Sequence, residues 1–137
     1  MGKHMSLFFP PVKRLFPGQR WVKIALRTFH LIGMCGLGGG LFLPFPPSLL
    51  TPSMTLLVAT GTAMVAIELW SNGVWLIQVR GLAIMMKIVL LMLIFVTKEW
   101  AEPLLLSIIV LSGVISHAPG DVRYYSLFHG RRIDSLR

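Results

Sequence analysis

The chain has 137 residues, of which 55% are hydrophobic and only 13% charged, and its mean hydropathy is +0.75. A soluble domain carries about a quarter of its residues as charges, so a soluble globular class is excluded. The formal net charge of +8 would point to nucleic acid in a soluble protein. Here the bases flank apolar runs, and nucleic acid is not needed to explain them.

In chain order, residues 1–20 mix aromatics and bases and contain Pro10, Pro11 and Pro17. Proline prevents a long helix there, and the mixture suits a segment lying on the membrane face. The first span is expected over about 21–43. It takes in most of Thr28–Pro44, a run whose five glycines lie between positions 33 and 40. In water such a helix would lose roughly 1 kcal/mol per glycine relative to alanine. In lipid the backbone has no other partner, so the helix persists and small residues admit a close neighbour. Gly33, Gly36 and Gly40 fall within about 60° of one another on a helical wheel, a strip for helix packing. Lys23 and Arg27 lie where long side chains reach head groups.

Pro44, Pro46, Pro47 and Pro52 predict a stiff outer loop, with the second span over about 53–72. Trp70 and Trp75 mark the inner interface. Ser71-Asn72-Gly73 breaks the helix, and Val74–Arg80 is expected along the membrane surface. The third span is expected over 81–97, the fourth over 103–118, and 119–137 as a cytoplasmic tail. The whole is expected to be one all-α membrane domain, a four-helix bundle with both termini cytoplasmic. Orientation follows from the bases: Arg14, Arg20, Lys23, Arg27, Arg80, Arg123, Arg131, Arg132 and Arg137 fall on one side, and Lys98 on the other. The N-terminus does not read as a cleavable signal, because its charged segment is too long.

Cys35 is the single cysteine, which excludes an internal disulfide and a cysteine-based metal cage. Four ionisable groups, His30, Glu68, Lys87 and His117, fall in the cytoplasmic halves of the spans. Intramembrane charges face the interior and pair, so Glu68 and Lys87 are expected to neutralise each other. His30 and His117 on different helices could hold a haem iron axially; otherwise they serve as carbonyl-bonding or interfacial groups. His30 with Met34 would suit copper, but eight methionines in an apolar chain read more simply as filler, and no metal is expected. Neither a phosphate loop nor a nucleophile–base pair is present, since Gly36–Gly40 follows no strand and Ser116 and His117 point apart.

The pattern His30, Gly33, Gly39, Gly40 followed by Leu41-Phe42-Leu43-Pro44 resembles the opening helix of two related bacterial membrane families, as does Trp75-Leu76, Arg80-Gly81, Lys87 and Leu90-Leu91 their third helix. These are the copper-resistance D family and the four-helix, haem-binding protoporphyrinogen oxidase family. The resemblance implies a four-helix membrane fold and haem binding at His30. The oxidase family's arginine and further histidine after Leu-Pro are replaced by Phe45-Pro46-Pro47, so the oxidase reaction does not carry over.

Three functions follow, in order: an accessory or structural subunit of a bacterial inner-membrane complex, a haem-b redox protein, and a small transporter. The expected partners are membrane lipid and either other membrane subunits or further copies of the chain.

Overall fold

The computed structural model describes residues 13–44 and 46–133. Four helices are long and apolar enough to cross a membrane: α1 (Gln19–Phe42), α2 (Pro47–Ser71), α3 (Val79–Val96) and α4 (Ala101–His117). A short helix α5 (Gly120–Arg123) follows, then strands β1 (Tyr125–Ser126) and β2 (Arg131–Arg132). The chain divides into two compact units, Arg14–Ser71 and a second that takes in Asn72 onward. The expectations for residues 1–12 and 134–137 lie outside the described residues.

The first unit is an antiparallel hairpin of α1 and α2. Gly18, at φ 78°, turns the chain into α1. The outer connection is shorter than its prolines imply. Pro47 is the first residue of α2, and Pro52 lies inside the helix. Pro47 needs no donor in the first turn, whereas Pro52 removes one backbone bond. The hydroxyls around it turn inward: Ser53 Oγ donates to Leu49 O at 2.7 Å and Thr55 Oγ1 to Thr51 O at 2.9 Å. Away from water, a hydroxyl is satisfied most cheaply on its own helix.

The α1 seam follows a coiled-coil period. Gln19, Lys23, Leu26, His30, Gly33, Leu37 and Gly40 recur at alternating steps of four and three, and none is exposed. That spacing keeps one stripe of a slightly supercoiled helix against its neighbour. The partners on α2 descend as α1 ascends, from Ser71 opposite Gln19 to Leu50 opposite Gly40.

The second unit pairs α3 with α4 through a tight 3₁₀ turn, Lys98–Trp100. Ala83 and Ile94 are buried on α3, and Ala101, Leu105 and Ile108 on α4, while Gly81 lies against the Trp75–Leu76 backbone. Before α3 the chain forms a 3₁₀ helix, Gly73–Ile77, with the Asn72 side chain accepting from Val74 N at 2.9 Å. Sequence placed Trp75 at the lipid interface. Instead Trp75 is 2% exposed, packed beside Val74 in the core of this unit, whereas Trp70 is 46% exposed. The reason is the asparagine-capped turn, which folds the segment inward rather than along the surface.

The tail is more ordered than a surface segment. Strands β1 and β2 pair antiparallel, Tyr125 with Arg132 and Ser126 with Arg131. Gly130, at φ 60°, closes the four-residue turn between them. Gln78, just before α3, ties this hairpin down. Its backbone bridges Ser126, and its Nε2 donates to the Ile133 carbonyl.

Candidate functional site

The polar side chains of the first unit collect at one end of the α1–α2 seam, and glycines fill the other. Three layers make the polar end. In the outermost, Gln19 Nε2 donates to Ser71 Oγ at 2.8 Å, and Ser71 Oγ donates to Arg14 O at 2.9 Å. Arg14 N in turn donates to Ser71 O at 3.0 Å, so the segment before α1 is stapled to the end of α2. The rings of Phe16 and Trp70 meet at a tilt of 60°, their centres 6.0 Å apart, beside this staple.

In the next layer Lys23 Nζ donates to Glu68 Oε1, an ion pair with each side chain less than one-fifth exposed. Deeper still, His30 Nδ1 lies 3.1 Å from the Leu57 carbonyl and 3.1 Å from Thr60 Oγ1. Thr60 Oγ1 also donates to Leu56 O at 2.6 Å. With that hydroxyl proton committed to Leu56, an Nδ1–H bonding to Leu57 O satisfies both groups.

Beyond His30 the seam becomes steric. A Cβ added to Gly33 would lie 2.8 Å from Leu57 N and 2.9 Å from Ser53 O, so the two backbones touch there. At Gly36 and Gly40 the same addition would strike the side chains of Ser53 and Leu50. All three glycines face α2, but only Gly33 meets backbone.

The residues singled out from sequence therefore divide between the units. Glu68 is held by Lys23, which sequence assigned to the head groups, and Lys87 lies half-buried on α3 of the second unit. His117 ends α4 with its side chain exposed. The resemblance implied haem at His30. Its Cε1 edge sits against Gly61, where an added Cβ would come within 3.1 Å, and its Nδ1 is held by α2. As packed, His30 is a strut between two helices. Sequence reading missed Gln19 and Ser71 as seam residues. The signal for Gln19 was the four–three spacing with Lys23 and His30 on α1, which continues into the glycine strip.

No protein-family model matches the chain, and neither a curated protein nor a solved structure does. Function therefore rests on the geometry alone.

Proposed function

We propose that the chain is a small, non-catalytic integral membrane subunit that assembles with another membrane protein or with copies of itself. In this reading the two hairpins form one four-helix membrane domain of a bacterial inner membrane, with both termini cytoplasmic. The observation that carries it is the mutual pairing of the polar side chains across the seam, in which Gln19 Oε1 is left as a buried acceptor with no hydrogen-bond partner among the described residues. Lys23 is answered by Glu68, Gln19 by Ser71, and His30 by Thr60 and the Leu57 carbonyl. A reactive centre keeps such groups poised toward a substrate, whereas these groups face one another as struts do.

A second feature supports the assembly part. Between 11% and 17% of each spanning window is buried within the chain. Most residues of each span thus keep some exposed surface that lipid or neighbouring helices can cover; in membranes helices associate through packing and interhelical hydrogen bonds.

The test is native mass spectrometry of the chain extracted in mild detergent, with an absorption spectrum of the same sample. A stoichiometric complex with a second membrane protein, or a defined homo-oligomer, supports the proposal. A monomer carrying a Soret band would replace it with the haem-b reading. A colourless monomer that moves solute in proteoliposomes would replace it with the transporter reading.

A further inference from the structure

The C-terminal cap of the second unit carries apolar residues where a soluble surface would not. At the tip of the β1–β2 turn Leu127 is 66% and Phe128 73% exposed, and Val122 and Tyr125 of the same cap are also exposed. Two arginines lie over the adjoining Tyr124 ring, the Arg80 guanidinium 4.7 Å from its centre and that of Arg132 5.4 Å, and Arg80 Nε donates to Gln78 Oε1 at 2.7 Å. Arg123, one residue before Tyr124, has a buried Nε with no partner among the described residues. Among the described residues, the Asp121 carboxylate pairs with Arg132 at 2.7 Å.

The position of the cap is fixed by its own unit. Gln78 bonds it to the residue just before α3, and α5 follows three residues after the end of α4. The cap therefore sits at the end of the hairpin where α3 enters the membrane and α4 leaves it. An apolar turn in a cap that also carries arginines, at that level, suits an interfacial anchor: rings and aliphatic groups enter the acyl boundary, and bases meet phosphates. Arginine suits that role because its fork bonds a phosphate through two N–H groups.

We propose that this cap is a lipid-binding anchor. Leu127 and Phe128 insert into the leaflet beside α3 and α4, and Arg80 and Arg123 hold the phosphate of an anionic phospholipid. The lipid is the occupant because the unit's own spanning helices keep the tip at the bilayer surface. The cap does not depend on whether the chain is an accessory subunit.

The experiment uses the full chain with Cys35→Ser and Leu127→Cys, spin-labelled at the new thiol and reconstituted in nanodiscs. Discs rich in phosphatidylglycerol are compared with discs of phosphatidylcholine alone. In the anionic discs the label should show a severalfold higher ratio of oxygen to nickel accessibility than in phosphatidylcholine. Combining Arg80→Gln with Arg123→Gln should abolish that difference while helical content stays unchanged. If that variant does not fold, added salt must release the label from the parent in anionic discs, since screening weakens headgroup contacts. A label that is water-accessible in both lipids overturns the proposal. Equal immersion in both overturns the anionic headgroup. Protection in native membranes but not in discs would mean that another protein covers the tip, which also overturns it.

Discussion

Lys23 and Glu68 form an ion pair across the α1–α2 seam, and each keeps less than one-fifth of its side chain exposed. One layer further from the chain's start, His30 reaches Thr60, and beyond it Gly33 touches the backbone of Leu57. The hairpin is thus held by charge and hydrogen bonds at one end and by close approach at the other. Each end has its own expected behaviour under mutation.

The glycine end depends on which glycine is changed. Gly33→Ala places a methyl against the Leu57 and Ser53 backbones, which cannot turn aside as a side chain can. Overpacking of this kind costs about 1–3 kcal/mol. At Gly113 on α4 nothing lies within 4 Å of an added Cβ, so Gly113→Ala should be neutral or stabilising by up to about 1 kcal/mol. Thermal unfolding in detergent, followed by circular dichroism, separates the two. Equal effects would mean that Gly33 is not at a helix contact.

The tryptophans should differ as sharply. Trp75 is 2% exposed, and Trp100 is 64% exposed beside the outer turn. Trp75→Ala should lose about 3–5 kcal/mol, as large buried aromatics do, while Trp100→Ala should change stability little. Comparable losses would contradict the inward fold of the Gly73–Ile77 turn.

Orientation is tested with reporter fusions. The proposed orientation puts both termini in the cytoplasm, so fusions after Pro46 and after Trp100 should be periplasmic, and one after Arg132 cytoplasmic. A periplasmic Arg132 fusion would contradict the four-span layout.

The spans were legible because each is a long apolar run broken by proline, glycine or charge. Gln19–Phe42 and Val79–Val96 agree with the expected 21–43 and 81–97 to within two residues. The start of α2 was less legible, because Pro47 reads as loop in sequence yet needs no donor as a first helical residue. The inward turn of Trp75 was hidden for a related reason. Amphipathic rings favour the interface on average, and only the Asn72 cap redirects this one. The partner of Glu68 was hidden because sequence separation does not reveal helix register. Lys23 lies 45 positions away, and only the four–three seam spacing brings it opposite.

The central claim is that the polar end of the seam is a structural lock, and a double-mutant cycle on its ion pair tests it most directly. The unfolding free energy in detergent is measured for the parent, Lys23→Met, Glu68→Gln and the double variant. Each single change strands a partly buried partner and should cost about 3 kcal/mol, while the double change should cost clearly less than the sum. Additive single effects would contradict the lock. So would recovery of Glu68→Gln by Lys87→Met in place of Lys23→Met, because the charge that Glu68 neutralises would then lie on α3.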